Sequence, residues 1–126
     1  MTRETISTDN APAAIGPSSQ GIRASGNFVF FSGQIPLIPN GELVQGDIRA
    51  QTEQVMNNIQ ALLGAAGLQP SNIVKTTIFL SSMDHFAAVN EVYGGMFAGD
   101  PPARSTVAVA GLPKNVDVEI EVIACY

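Results

Sequence analysis

Cysteine and histidine are nearly absent from the chain, which contains only Cys125 and His85. One cysteine cannot form an internal disulfide, and one histidine without neighbouring cysteines supplies no metal-binding motif. We therefore predict that Cys125 is a small packing residue, that His85 lies at the surface, and that the protein holds no metal. No serine lies in a G-x-S-x-G motif, and GPSSQG lacks the lysine and the glycine spacing of a phosphate-binding loop.

Charged residues are scarce as well: they make up 13% of the chain, whereas hydrophobic residues make up 45%. A small monomer has to solvate its whole surface, so this balance favours a homo-oligomer. The six basic residues are scattered along the chain, and the formal net charge is −5. Because nucleic acid binding depends on clustered positive charge, we expect no nucleic acid partner.

Long apolar runs are missing too. Polar residues interrupt every apolar stretch well before the roughly 18 to 20 residues of a membrane helix, and MTRETISTDN contains no hydrophobic signal segment. We therefore expect a cytoplasmic protein without a membrane partner. A chain of 126 residues can form one two-layer core but not two, and no repeat or linker divides it, so residues 1–126 are predicted to form a single domain.

The apolar residues that are present change their period along the chain. A stripe at spacings of three and four follows Asp47, a typical N-cap residue, and ends at Gly67. The predicted elements are, in order, strands in TRETIST and GNFVFFSGQIP, a helix from Asp47 to Gly67, a strand in IVKTTIFLS, a helix from Asp84 to Phe97, and strands in RSTVAVAGL and VDVEIEVIA. This order predicts an α+β fold in which a mixed sheet carries two helices on one face.

The strand IVKTTIFLS is predicted to be apolar on both faces. One face carries Val74, Thr76, Ile78 and Leu80, and the other carries Ile73, Thr77 and Phe79. Two helices can cover only one side of the sheet. We therefore expect further copies of the chain to cover the other side.

An arginine stands at the start of a predicted strand, in the segment PPARSTVAV. Arg104 always carries its charge, so it must contact an anion or remain in water. In VDVEIEVIA, alternation places Glu119 and Glu121 together, opposite the valine face, where burial at an interface requires a partner or a raised pKa. Spacing alone favours a structural Arg104–Glu119 pair over a catalytic site, and a neighbouring subunit or a ligand could also supply the anion.

A series of segments follows the order of a known family over nearly the whole chain. These segments are APAAIGP, SGQIP, GELVQGDI, AQTEQVMNNI, IVKTTIFL, FAAVNEVY, PPARSTVAVAGLP and VEIEVIA. Together they resemble the RidA (YjgF) family of reactive-intermediate deaminases. The resemblance implies a chorismate-mutase-like fold and a homotrimer in which three sheets form an inner β-barrel and the active sites lie between subunits. It also implies cofactor-independent hydrolysis of enamines and imines, such as 2-aminoacrylate, 2-iminopropanoate and 2-iminobutanoate, to 2-oxo acids and ammonia.

The resemblance also implies roles for individual residues. Arg104 matches the arginine that grips the substrate carboxylate, and Glu119 matches the acid that positions water. Ser32 and Gly33 match the wall of the pocket, and Thr106 matches a position whose backbone lies near the reacting carbon. A bidentate guanidinium would orient the carboxylate so that water meets the adjacent C=N carbon, and Glu119 would exchange a proton with the water or the leaving nitrogen.

One position departs from the family pattern, because many members have tyrosine where this chain has Ser18. The missing ring enlarges the expected pocket, so deamination of a larger enamine acid, of the aminomuconate or ureidoacrylate type, is an alternative. A non-catalytic trimer that binds carboxylate metabolites or acts as a chaperone is another, although the presence of both Arg104 and Glu119 argues against it. Ribonuclease activity, reported for some relatives, does not fit an acidic chain with dispersed basic residues.

Overall fold

The computed structural model describes all 126 residues, which form six strands, two α-helices and three short 3-10 turns. The strands and α-helices are β1 (Thr2–Ile6), β2 (Gly21–Ser25), β3 (Phe28–Gln34), α1 (Ile48–Ala65), β4 (Ile73–Leu80), α2 (Phe86–Gly94), β5 (Ala103–Ala108) and β6 (Val118–Cys125). The predicted α+β fold is confirmed. Neither helix combines the length and the apolar character that crossing a bilayer requires.

The main sheet has four strands in the order β3-β6-β4-β5. Strand β6 is antiparallel to both β3 and β4, whereas β5 is parallel to β4, so the sheet is mixed as predicted. Parallel neighbours need a crossover connection, which α2 provides between β4 and β5. Strands β1 and β2 form a separate antiparallel ribbon, and a bridge between Ser19 and Ala103 connects the loop between these two strands to the main sheet.

Helix α1 begins and ends where the sequence pattern predicts. The Asp47 side chain accepts a hydrogen bond from the Ala50 backbone N–H at 2.9 Å, which satisfies one of the free donors of the first turn. The helix ends before Gly67, whose φ of +72° lies in the left-handed region that glycine adopts easily. The apolar stripe of α1 faces the sheet, with Val55 and Leu63 fully buried.

Both helices pack on the same face of the main sheet, and the core lies between these two layers. Its members include Val55, Ile59, Leu63, Ile78, Val89, Tyr93, Ile120 and Val122. The opposite face is uncovered in the single chain, where Phe30, Phe28 and Val107 are 74%, 47% and 43% exposed. This uncovered apolar face agrees with the expectation that the chain forms an oligomer.

The structure corrects three details of the predicted elements. The prediction assigns no strand to GIRAS, which forms β2 because it pairs along its length with β1. Ile73 is predicted on the strand face opposite Thr76 and Ile78, but a register shift between Ile73 and Lys75 turns Ile73 into the core on the same face as Ile78. Helix α2 starts at Phe86 instead of Asp84, since the Ser82 side chain caps a short 3-10 turn that precedes it, and it ends at Gly94.

Candidate functional site

Arg104 lies on β5, next to Thr76 of β4, and points to the side of the sheet that the helices cover. The neighbouring Thr76 identifies this face, because its buried hydroxyl is hydrogen-bonded to the Tyr93 hydroxyl of α2 at 2.7 Å. Burial raises the pKa of Tyr93 to about 12, so this phenol stays protonated at neutral pH and does not act as a base. Arg104 is half-buried above these groups, at the edge of the sheet.

The Arg104 guanidinium is held from several sides. Nη1 donates to Asn90 Oδ1 at 2.6 Å, and Nη2 donates to the Ile15 carbonyl at 3.0 Å. The guanidinium carbon also lies 5.6 Å from the ring centre of Phe86 and 5.4 Å from that of Tyr93. Burial lowers the pKa of Arg104 from its ordinary value, but an arginine remains charged at neutral pH. These hydrogen bonds and aromatic rings therefore hold the charged, planar guanidinium in one orientation.

Arg104 has no carboxylate partner within the chain. The ion pairs of the structure are Arg23–Glu4, Arg49–Glu91 and His85–Asp117. Of the five N–H groups of the Arg104 guanidinium, two are engaged by oxygen atoms, so three remain for an anion. The planar arrangement of these donors suits a carboxylate.

A cavity of about 490 Å³ opens beside this guanidinium. Its lining residues are Ala11, Pro12, Ala13, Ala14, Ile15, Ser18, Ser19, Gln20, Met83, Phe86, Arg104 and Thr106. The Thr106 hydroxyl oxygen has neither solvent contact nor a hydrogen-bond partner. A buried hydroxyl without a partner is destabilising by about 1 to 3 kcal/mol, and Thr106 is the one lining residue whose side chain is buried with an unsatisfied polar atom.

Glu119 lies on β6, opposite Phe79 of β4, and points to the uncovered face of the sheet. The register of β3 shifts between Phe31 and Gln34, next to this carboxylate. A Cβ atom at Gly33 would overlap the Glu119 carboxylate, so any larger residue there would displace this carboxylate from its present position. Glu119, Gly33 and the adjacent Ser32 thus form a second cluster of the predicted site residues.

The Glu119 carboxyl has an altered proton affinity. Partial burial raises its pKa above the ordinary value for glutamate, and the negative charge of Glu121 raises it further. Both effects disfavour the ionised form. The group is therefore better suited to exchange a proton near neutral pH than a solvated glutamate.

The structural Arg104–Glu119 pair, which spacing alone favours, is wrong for a single chain. Arg104 pairs with Thr76 on the helix-covered face, whereas Glu119 pairs with Phe79 on the uncovered face. The sheet separates the two side chains. The predicted site residues consequently form two groups: Arg104, Thr106 and Ser18 line the cavity, and Glu119, Gly33 and Ser32 lie together elsewhere. A site that uses both groups has to be completed by a second copy of the chain.

Asn90 is a further candidate site residue, because it accepts a hydrogen bond from Arg104, and it was not predicted from the sequence. It lies four residues after Phe86 and three before Tyr93, on the stripe of α2 that faces Arg104. A polar residue in an otherwise apolar stripe was the available signal, because such a group needs a partner on the packed side.

The single histidine forms neither a metal site nor a catalytic triad. No three histidine, cysteine, aspartate or glutamate side chains lie close enough together to hold a metal ion. His85 Nε2 lies 3.9 Å from Asp117 Oδ1, and Ser81 Oγ donates to the same oxygen at 2.8 Å. A triad requires the histidine between the serine and the acid, whereas here the acid lies between the other two.

Comparison with known proteins identifies the family. A family model described as endoribonuclease L-PSP matches residues 8–126. The crystal structure of YyfA from Yersinia pestis, a member of the conserved Rid protein family, is 50% identical and has a TM-score of 0.76 over 99% of this chain and 100% of that one. The chain belongs to the RidA family.

Members of the RidA family that resemble this chain carry different names. The 2-iminobutanoate/2-iminopropanoate deaminase of Escherichia coli is 48% identical and matches over 96% of both chains. Protein DfrA of Myxococcus xanthus is 53% identical over 98% of this chain and 96% of that protein. Membership in the RidA family confirms the resemblance found in the sequence, but the reaction has to be argued from the site.

Proposed function

We propose that this protein is a cytoplasmic, cofactor-independent deaminase that hydrolyses 2-imino acids and their enamine tautomers to 2-oxo acids and ammonia. The substrates are 2-iminopropanoate, the tautomer of 2-aminoacrylate, and 2-iminobutanoate. The name of the Escherichia coli relative, 48% identical over 96% of both chains, supports this reaction. The dispersed basic residues and the net charge of −5 give no support to the nuclease activity in the family description.

The observation that carries the proposal is the state of Arg104. Its guanidinium is half-buried, fixed by Asn90 and the Ile15 carbonyl, free of any carboxylate of its own chain, and open to a cavity. A fixed, desolvated fork binds a carboxylate in one orientation. All the proposed substrates carry a carboxylate next to the C=N carbon, so binding it also positions the reacting carbon.

Hydrolysis then needs one water molecule and one group that moves protons. The imine carbon gains the oxygen of the water, and both water protons finish on the nitrogen, which leaves as ammonia when the C–N bond breaks and the C=O bond forms. Glu119 accepts the first proton and returns it to the nitrogen, a role that its raised pKa favours. Thr106 lines the same cavity as Arg104, and its backbone is the part of the residue that we place next to the reacting carbon.

The site is proposed to form between subunits of a homotrimer. Arg104 and Glu119 lie on opposite faces of one sheet, so they can meet only across an interface. Phe28 and Phe30, which stack with ring centres 6.5 Å apart, leave the Glu119 face apolar and exposed. Three such faces packed around an axis form an inner barrel, and the cavity edge of one copy then meets the glutamate face of the next.

A coupled assay tests the proposed reaction. A pyridoxal-phosphate threonine dehydratase releases 2-iminobutanoate, and the rate at which 2-oxobutanoate and ammonia appear is followed with and without this protein. We expect faster appearance of both products, in equal amounts, than spontaneous hydrolysis gives. An unchanged rate over a wide range of protein concentration would refute the proposed function.

The cavity favours a second candidate, a deaminase of larger enamine acids. Ser18 lines the Arg104 cavity, whose volume of about 490 Å³ lies within the range of sites for drug-sized ligands. The variant Ser18→Tyr separates the two candidates. If the cavity serves small imines, the tyrosine fills unused space and improves their turnover, whereas if it serves larger acids, the tyrosine obstructs them. An equal rate for both classes in parent and variant would place Ser18 outside the substrate's reach.

A further inference from the structure

One wall of the Arg104 cavity is the loop of residues 7–20, whose two ends meet because Ile6 pairs with Gly21. Most of the residues from Ala11 to Gln20 line the cavity. Residues 8–15 of this loop contain neither helix nor strand. Their position therefore depends on a few hydrogen bonds made by side chains.

The Gln20 carboxamide makes most of these hydrogen bonds. Its Oε1 accepts from the Thr8 backbone N–H at 2.7 Å. Its Nε2 lies within hydrogen-bond distance of three backbone carbonyls, those of Thr8 at 3.1 Å, Ala11 at 3.3 Å and Pro12 at 2.8 Å. An amide nitrogen carries two hydrogens, so one of them is shared. The Gln20 side chain alone thus holds residues 8–12 of the wall together.

Ser19 holds the end of the wall through hydrogen bonds to the Pro101 and Pro102 carbonyls. The middle of the wall is held by the site itself, because the Ile15 carbonyl accepts from Arg104 Nη2 at 3.0 Å. The only other hydrogen bond within residues 8–15 is local, from the Asn10 N–H to Thr8 Oγ1. Gln20 and Arg104 are therefore the two anchors of this segment. If the Gln20 anchor is lost, the only remaining hydrogen bond from residues 8–15 to the rest of the chain is the one to the arginine that has to bind substrate.

We propose that Gln20 is a positioning residue, which holds residues 8–12 so that the cavity wall and the Ile15 carbonyl stay in place beside Arg104. This proposal rests on the proposed deaminase function and deepens it. Release of the wall weakens substrate binding but leaves Glu119, on the other face of the sheet, in place. Loss of Gln20 therefore raises KM more than it lowers kcat. The wall residues Ala11, Pro12, Ala13 and Ala14 are apolar, so the effect grows with the length of the substrate's carbon chain.

Two variants test the proposal. Gln20→Leu removes all the hydrogen bonds of the carboxamide, and Gln20→Glu keeps the acceptor for Thr8 but removes the donors. The matched control is Asn72→Leu, since the Asn72 amide also joins two backbone segments, through the Gln69 N–H and the Cys125 carbonyl, and does not line the cavity. Steady-state kinetics are measured on 2-iminopropanoate and on a longer imino acid, with melting temperature as the measure of stability.

We expect both Gln20 variants to raise KM by about tenfold or more with kcat changed less than about threefold, and with a larger rise on the longer substrate. Asn72→Leu is expected to lower the melting temperature and leave KM unchanged. The proposal is wrong if KM is unchanged in the Gln20 variants, or if Asn72→Leu raises KM as much as they do.

A measurement that needs no turnover keeps this proposal separate from the deaminase function. Backbone order parameters of residues 8–15 are measured by NMR relaxation in the parent, in Gln20→Leu and in Asn72→Leu. We expect them to fall from values typical of a rigid backbone, about 0.85, toward or below about 0.6 in Gln20→Leu alone. That result in a protein that hydrolyses no imine would refute the deaminase function and retain Gln20 as the anchor. Unchanged order parameters would overturn the role of Gln20 even in an active enzyme.

Discussion

Replacement of Arg104 is the perturbation whose size the structure allows us to estimate best. The variant Arg104→Ala removes the charged fork that faces the cavity, and with it the bidentate contact to a substrate carboxylate. Such a charge-assisted contact is worth roughly 2 to 4 kcal/mol, which corresponds to a loss of about 30- to 1000-fold in kcat/KM. Arg104→Lys is expected to recover less than about a tenth of the parent's kcat/KM, because an ammonium group cannot bind Asn90 and a carboxylate in the same plane.

The variant Arg104→Ala is expected to change the free energy of unfolding less than it changes the free energy of activation. Arg104 makes two hydrogen bonds, to Asn90 and to the Ile15 carbonyl, and it contacts the rings of Phe86 and Tyr93. Water can replace these contacts in part at a half-buried site, so we expect the free energy of unfolding to fall by about 1 to 2 kcal/mol. No buried carboxylate is left without a partner, because Arg104 has none within the chain.

The assay is the coupled release of 2-oxo acid from imine, measured with thermal unfolding of the same preparations. Arg49→Ala is the matched control: it removes the same charge from an exposed ion pair with Glu91, at 2.6 Å, outside the cavity. We expect that control to retain the parent's kcat/KM. The assignment of Arg104 as the carboxylate-binding residue is refuted if Arg104→Ala stays within about threefold of the parent, or if Arg104→Lys is fully active.

Three further predictions concern the groups around the two halves of the site. Gly33→Ala adds a Cβ that displaces the Glu119 carboxylate, so kcat is expected to fall by about tenfold or more. The melting temperature should stay close to the parent's, because the flexible Glu119 side chain can move aside. Glu121→Gln removes a like charge that raises the pKa of Glu119, so the acidic limb of the kcat/KM profile moves to lower pH. Asn90→Asp places a carboxylate beside Arg104 that competes with the substrate's carboxylate, so KM rises by about tenfold or more.

Each of these variants has its own control or contrary result. Gly64→Ala adds a methyl group where nothing lies within 4 Å, and its kcat should equal the parent's. If Gly33→Ala is as active as this control, Glu119 does not act at its present position. Glu119→Gln should abolish the acidic limb, and a limb that Glu121→Gln leaves unmoved belongs to another group. An unchanged KM in Asn90→Asp would mean that substrate does not bind at Arg104.

A raised pKa of Glu119 also affects stability, with the opposite sign to most carboxylates. Below the ordinary pKa of glutamate the group is protonated in both the folded and the unfolded chain. As pH rises, the unfolded chain ionises first, so the folded state loses stability until pH exceeds the raised pKa. Ionisation of Glu119 therefore lowers the stability of the single chain as pH rises toward neutral, so the free energy of unfolding gives no reason for a carboxyl group at this position.

Long periodic patterns made much of the fold predictable from the sequence. Helix α1 was found within a residue or two, because Asp47 and Gly67 mark its ends and its stripe has one side to bury. Alternation in β6 placed Glu119 and Glu121 on one face correctly. Strand β2 could not be found in this way, since five residues carry little pattern and their conformation is decided by pairing with β1.

The relation between the two groups of candidate site residues could not be predicted from alternation within single strands. Alternation tells which residues of one strand share a face, but it does not tell which face of the sheet that is. The face of Arg104 follows from the parallel pairing of β5 with β4, a contact between residues far apart in the chain. The roles of Asn90 and Gln20 were missed for the same reason, because their partners lie 14 residues away at Arg104 and 8 to 12 residues away in the loop.

Mixed oligomers test the central claim most directly, namely that Arg104 of one copy and Glu119 of another form one site. Arg104→Ala and Glu119→Gln chains are each expected to be nearly inactive alone. When equal amounts are unfolded and refolded together into random trimers, about one interface in four combines an intact Arg104 with an intact Glu119. The account predicts recovery of about a quarter of the parent's imine hydrolysis per site. Mixed trimers that stay as inactive as the separate variants would contradict it.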